Sequence, residues 1–295
     1  DEAPRMLGAF NEETPDWLSF FMFTYFTDRD GKMQLESLAQ SGFDPLSRTC
    51  RFMLTEEAHH MFVGETGVGR TIQATVDAMT AAGITDPYDT NRIRDLGVID
   101  LPTIQKKLNL HYSLSLDLFG NEVSTNAANA FNAGIKGRYM EHRLDDDHQL
   151  QRDTYDVKMV SEDQIVTEQM PALNAINMRL RDDYVKDASG GLTRWNKIMK
   201  RKNVDFEFWL PHEGFNRNIG VFANVSVDLQ GNIISPDSWE AQMAEWLPTK
   251  ADGEFIQSLM KPCYEPGRYA SWIAPPKVGI NNQAGDFEYV KLHMA

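Results

Sequence analysis

The run Trp17-Leu18-Ser19-Phe20-Phe21-Met22-Phe23-Thr24-Tyr25-Phe26 constrains the fold more than any other part of the chain. Drawn as a helix it is apolar on nearly every side, and such a helix is stable only where neighbours cover most of its surface. It predicts a helix inside a bundle. Thr14-Pro15-Asp16 just before it reads as a start signal, with Thr14 as a hydroxyl cap, a proline in the first turn and an acid facing the positive end of the helix dipole. Farther on, Ser41-Gly42-Phe43-Asp44-Pro45 reads as a stop, a short turn and a new start with Asp44 as cap. The helical pattern then runs to about Ala81, so the two segments predict an antiparallel αα-hairpin.

Ile84 to Arg94, with Pro87, reads as a loop. Leu101 to Leu118 and Glu122 to Leu144 read as further helices parted at Gly120-Asn121, making residues 1–145 a helical unit. Over residues 146–295 the pattern loosens. Helices are expected between Pro171 and Lys186 and around Leu192 to Lys202. Phe206, Phe208 and Leu210, and then Val221 to Val227 before a Gly231-Asn232 turn, alternate as strands do. The tail, with Pro262, Pro266, Pro275 and Pro276, is expected to wrap the surface without regular structure. The fold class is mainly α, with a C-terminal extension that contains a small β element.

Composition narrows the function. With 43 acidic against 29 basic residues the net charge is −14, which opposes a general affinity for nucleic acids or anionic membranes. No apolar run approaches the roughly 20 residues of a membrane span. Cys50 and Cys263 stand in no CxxC spacing, which argues against thiolate zinc, iron–sulfur clusters and a disulfide framework and fits a reducing cytoplasm. Asp1 to Arg5 offer neither an initiator Met nor an apolar leader, and read as the middle of a longer polypeptide.

Glu56-Glu57-Ala58-His59-His60 contains E-x-x-H twice, as Glu56 with His59 and Glu57 with His60. Residues three apart share a helix face, so either pair can present an oxygen and an imidazole to one metal ion. On pattern alone the same residues also serve as a solvated helix face. Asp28 and Glu57 are equidistant from Gly42-Phe43 and should lie level across the hairpin, whereas Glu36 would be off level by on the order of 10 Å. Asp28 also continues the row Trp17, Phe21, Thr24, and a carboxylate in such an apolar setting must be paired or coordinated. One carboxylate from one helix and E-x-x-H from its neighbour make half of a di-iron carboxylate site in a ferritin-like bundle.

The strings Thr14 to Thr24, Thr27 to Lys32 and Phe52 to His60 resemble the oxygenase components of benzoyl-coenzyme A epoxidases, a family of non-haem di-iron carboxylate oxygenases. The likeness extends through Val98 to Pro102, Arg179 to Asp183 and Asn196 to Trp272-Ile273-Ala274-Pro275-Pro276 and Gly279 to Gln283. The resemblance implies the second half of a ferritin-like di-iron bundle. It places the family's second ligand triad on Asp28, Glu57 and His60, and leaves Glu56 and His59 to hydrogen bonds that orient the ligands or to packing. The first triad, a glutamate and another E-x-x-H, would lie in a segment ahead of residue 1. It further implies two iron ions, dioxygen as co-substrate, benzoyl-coenzyme A as the substrate epoxidised at the 2,3 position, and a separate NADPH-dependent reductase carrying flavin and iron–sulfur centres.

Helical spacing from the ligands makes Phe21, Thr24 and Met61 candidate pocket residues, with ordinary core packing the other reading for each. Lys136 with Arg138, or Lys200 to Lys202, are the basic clusters available to coenzyme A phosphates. Other readings share these residues. A self-contained site would add Asp145-x-x-His148 and an acid such as Asp117 or Glu122. An iron-binding protein without oxygenation, and a helical fragment without metal, are of different classes. The aromatic helix before Asp28 favours an apolar substrate pocket over a hydrophilic ferroxidase interior.

Overall fold

A computed structural model describes residues 7–137, 153–161, 164–264 and 269–276. Trp17–Leu38 form α1 and Asp44–Ala82 form α2, the expected antiparallel pair. Asp16, not Thr14, caps α1. Its carboxylate accepts the Ser19 backbone N–H at 2.7 Å and the Ser19 hydroxyl at 2.9 Å, which leaves Thr14 and Pro15 outside the helix. Asp44 lies inside the first turn of α2 rather than capping it, and pairs with Arg48 one turn on. Gly83 ends α2 at φ 66°, the left-handed conformation that closes helices. The buried residues of α2 gather from Gly64 onward. Between Asp44 and His60 only Ser47 and Cys50 are buried.

The expected loop contains a one-and-a-half-turn helix, α3 (Thr90–Asp95), capped by Asp89. Helix α4 (Leu101–Leu116) starts at Asp100, whose side chain accepts the Thr103 N–H at 2.9 Å, and runs into a 3-10 turn, Asp117–Phe119, closed by Gly120 at φ 78°. The helix expected from Glu122 to Leu144 is much shorter, α5 (Thr125–Asn132). Glu122 does not join it because Arg181 holds its carboxylate in the interior at 2.6 Å. Thr154–Ser161 (β1) and Gln164–Pro171 (β2) pair as an antiparallel hairpin that the sequence reading did not foresee.

The two helices expected after Pro171 are one, α6 (Ile176–Lys202). Residues 203–212 are not a strand. The small β element is Ser226–Val227 (β3) paired with Ile233–Ile234 (β4) across a turn at Gly231, φ 99°. Two unforeseen helices follow, α7 (Pro236–Trp246) and α8 (Lys250–Ser258). The described part of the tail is irregular apart from a bridge between Ala270 and Ile273, and the Ala274 N–H joins it to α2 at the Arg70 carbonyl, 3.0 Å away. No helix among the described residues is long and apolar enough to cross a membrane.

One apolar core unites these elements: Leu18, Met22 and Phe26 from α1, Ile72 and Val76 from α2, Ile104 and Leu108 from α4, and Leu180 and Trp195 from α6. The α1–α2 contact is close because Gly64 and Gly67 face α1. A Cβ on Gly64 would stand 2.5 Å from the Tyr25 backbone nitrogen, 2.7 Å from Thr24 Oγ1 and 2.8 Å from the Phe21 carbonyl oxygen. Backbone cannot yield as a side-chain tip can, so Gly64→Ala should force the helices apart and cost about 1–3 kcal/mol. Denaturant midpoints measure this, and an unchanged midpoint would show slack in the hairpin.

His111 on α4 is buried, and its Nε2 has no hydrogen-bond partner among the described residues. Burial, aided by the nearby Lys107 charge, holds its pKa down at about 3, against an ordinary value of 6.5. The unfolded chain therefore takes up this proton as pH falls below about 6.5 while the folded chain does not, and stability declines from there towards pH 3. At roughly 1.4 kcal/mol per unit within that window, His111 should remove about 2 kcal/mol between pH 7 and pH 5. His111→Gln should lose about that much less over the interval. Equal losses in both proteins would assign the acid sensitivity to other groups.

Candidate metal centre

Asp28 comes from α1, and Glu57 and His60 from adjacent turns of one face of α2. The close approach of the helices brings one donor atom of each within 4.8 Å of the others. His60 Nδ1 lies 3.6 Å from Asp28 Oδ2 and 3.8 Å from Glu57 Oε2, too far for hydrogen bonds and near enough to face a common point. The two carboxylates are mostly buried, whereas the imidazole is half-exposed. Glu57 Oε2 is shut off from solvent and has no hydrogen-bond partner among the described residues.

Burial, and then the charge of Glu57, push the Asp28 pKa up to about 6, against a smaller pull from His60. Burial raises Glu57 as well, with His60 opposing. Two carboxylates kept from water beside an imidazole, one oxygen lacking a donor, are a donor set that a divalent cation would stabilise. The residues fit iron, for which mixed carboxylate and imidazole ligation is suited. Glu56 and His59 point to solvent, and Glu36 lies outside the cluster.

A groove of about 690 Å³ opens onto Asp28 and His60. Trp17, Phe20, Phe23 and Thr24 line one side, with Met260, just past α8, completing it. Trp17 and Phe20 are 55% and 37% exposed, so the aromatic helix is not covered all round as its composition suggested: this side faces the groove. Thr24 lies in the lining, as expected from its spacing. Phe21 does not, because its ring packs over Gly67, and the half-buried Met61 is not in the lining either. Met260 carried no signal in the sequence, since only the fold brings it near Asp28.

Beside the triad, Asp30 is buried, and burial pushes its pKa up to about 7. It accepts from Gln34 at 3.3 Å, and Gln34 in turn accepts from Lys136 at 2.7 Å. Lys136 is thus engaged within the protein and is not brought to the groove. Arg138, Asp145 and His148 lie outside the described residues. Of the Lys200 to Lys202 cluster, Lys202 pairs with Asp77 at 2.9 Å. Asp117 and Glu122, the acids of the self-contained alternative, are buried and bonded instead to Arg217 at 2.5 Å and Arg181 at 2.6 Å.

Over 293 residues the chain is 55% identical to the protein named benzoyl-CoA oxygenase component B of Aromatoleum evansii, which bears out the resemblance drawn from the sequence. The match takes in 99% of this chain and 61% of that protein, so the chain spans about three fifths of the length of the curated relative it matches. No family model matches the chain.

Proposed function

From a chain this similar to a benzoyl-CoA oxygenase component, we propose that Asp28, Glu57 and His60 form one half of a di-iron site that epoxidises the ring of benzoyl-coenzyme A to the 2,3-epoxide. The observation that carries the reading is the triad itself: three donors from two helices around an unpartnered carboxylate oxygen, at one end of an aromatic groove. Two ferrous ions bring twice the charge that Asp28 and Glu57 neutralise. The remaining donors, by the family resemblance a glutamate and a second E-x-x-H, would come from outside the described residues; about two fifths of the relative lies outside the match. When bound, the iron pair supplies reduction of dioxygen and transfer of one oxygen atom to the ring, the other leaving as water, with electrons from NADPH through a separate flavin and iron–sulfur reductase.

The chain's own residues bind, orient and exclude. Phe20 and Phe23 offer the ring apolar walls, and Trp17 and Met260 narrow the path by which water would enter. His60, the most exposed of the three donors, borders the groove with Asp28, whereas Glu57 is set behind them. The walls therefore hold the ring against the edge of the donor set. That placement favours attack on the ring over release of reduced oxygen to water.

The test is product analysis with full-length protein, its reductase, NADPH, benzoyl-coenzyme A and ¹⁸O-labelled dioxygen. The expected product is the 2,3-epoxide with one labelled oxygen. A ring hydroxylated without an epoxide, or oxygen drawn from water, would overturn the proposal.

A further inference from the structure

The groove at Asp28 and His60 does not stop at Trp17. Trp17 and Met260 also border a second cavity of about 640 Å³, which extends to Phe21, Arg70, Lys261 and Trp272. In a chain of net charge −14, the charged side chains in its described lining, Arg70 and Lys261, are both cationic. The cavity along α6 differs, mixing Asp156, Asp182 and Glu213 with Lys158 and Lys186.

Arg70 is held in place but only partly used. Its Nε donates to the Ala274 carbonyl at 2.6 Å, and its guanidinium lies 4.9 Å from the centre of the Tyr269 ring. Its Nη2 is shut off from bulk solvent and has no hydrogen-bond partner among the described residues. A guanidinium oriented by a ring and a carbonyl, with terminal N–H groups left over, is suited to phosphate, whose oxygens match its fork.

Distance points to one phosphate. Arg70 is ten residues beyond His60 on α2, or about 15 Å along the axis. The pantetheine arm of coenzyme A has roughly the backbone length of four to five extended residues, about 15 Å. A ring placed at Asp28 and His60 would therefore bring the diphosphate, at the far end of that arm, to Arg70.

We propose that Arg70, assisted by Lys261, anchors the diphosphate of the coenzyme A thioester, with the pantetheine arm passing Trp17 and Met260 from the first cavity into the second. The assignment rests on the benzoyl-coenzyme A reading and deepens it. It moves the phosphate site from Lys136 and Arg138, where the sequence suggested it, to a residue on the same helix as Glu57 and His60.

Binding without turnover tests it, by anaerobic titration of full-length protein with benzoyl-coenzyme A, benzoyl-dephospho-coenzyme A and S-benzoyl-pantetheine. Arg70→Gln should weaken the first two by about 10- to 100-fold and leave S-benzoyl-pantetheine unchanged. Lys261→Gln, at an exposed position where misfolding is not a concern, should weaken the first two by about threefold. Equal weakening of all three ligands by Arg70→Gln would mean that Arg70 only holds the tail against α2, and would overturn the proposal. So would unchanged affinity for benzoyl-coenzyme A. If removing the 3′-phosphate from the ligand abolishes the effect of Arg70→Gln, the partner is that phosphate and the diphosphate assignment fails. Should the variants behave as expected while no epoxide forms, the anchor stands and the proposed reaction falls.

Discussion

Glu57→Ala in the full-length protein is expected to lose bound iron and epoxidation together. Glu57 supplies a carboxylate whose Oε2 is shut off from solvent and has no donor among the described residues, and which lies within 4.8 Å of the donor atoms of Asp28 and His60. Changes in groups that merely support metal ligands already cost about 10- to 100-fold in affinity or activity, and loss of an anionic ligand should cost at least as much. Glu56→Ala is the matched control. It removes the same charge one residue away, from an exposed position, and should leave iron content and turnover near those of the parent. Iron per chain and initial epoxidation rate decide the matter. Full activity in Glu57→Ala would remove this residue from the mechanism, and a collapse in Glu56→Ala would show that the other E-x-x-H register binds.

Arg217→Met should be the most destabilising of the substitutions considered, by about 3–5 kcal/mol. Asp117, Glu122, Arg181 and Arg217 have fully buried side chains. Arg217 lies 2.5 Å from Asp117 and 3.6 Å from Glu122, while Arg181 lies 2.6 Å from Glu122. Backbone N–H groups of Asn218, Ile219 and Val221 complete the two carboxylates. Removing one guanidinium leaves negative charge in the interior with no way to regain water, a heavier loss than the pair's net worth. The double variant Asp117→Asn, Arg217→Met should recover part of it, because the orphaned charge goes too. Denaturant unfolding of the parent, Arg217→Met, Asp117→Asn and the double variant gives the coupling, and simple additivity would refute a shared network.

The hairpin, and the level placing of Asp28 and Glu57 on it, were legible because both depend on counting along the chain, whereas the preference for Glu57 with His60 over Glu56 with His59 came from the family resemblance. Long periodicity marked α1 and α2, the turn at Ser41 to Pro45 fixed their register, and equal distances from it put Asp28 level with Glu57. What failed depends on contacts distant in sequence. Two helices were expected with a gap between Lys186 and Leu192, yet α6 runs through it. Gly191 leaves room for the Tyr25 ring, whose hydroxyl donates to the Ala188 carbonyl at 2.6 Å. Phe206, Phe208 and Leu210 alternate like a strand, but among the described residues no strand lies beside them. The Asn196 side chain takes a strand's place, accepting the Phe208 N–H at 2.8 Å and donating to its carbonyl at 2.9 Å. Met260 and Arg70 carry no local pattern at all, because only the fold places them on two cavities that share Trp17.

The uneven burial of α2 gives its two ends different lifetimes. From Gly64 onward the helix is fixed in the common core, so its backbone hydrogen bonds should open only when the whole protein unfolds. Between Asp44 and His60 it rests mainly on α1, and its amides can exchange through local opening of those turns. Glu57 and His60 stand on the labile side of that boundary and Arg70 on the durable side. On the proposed reading, the segment that supplies the remaining donors would cover those turns as well, so completing the donor set and stilling this end of the helix would be one event.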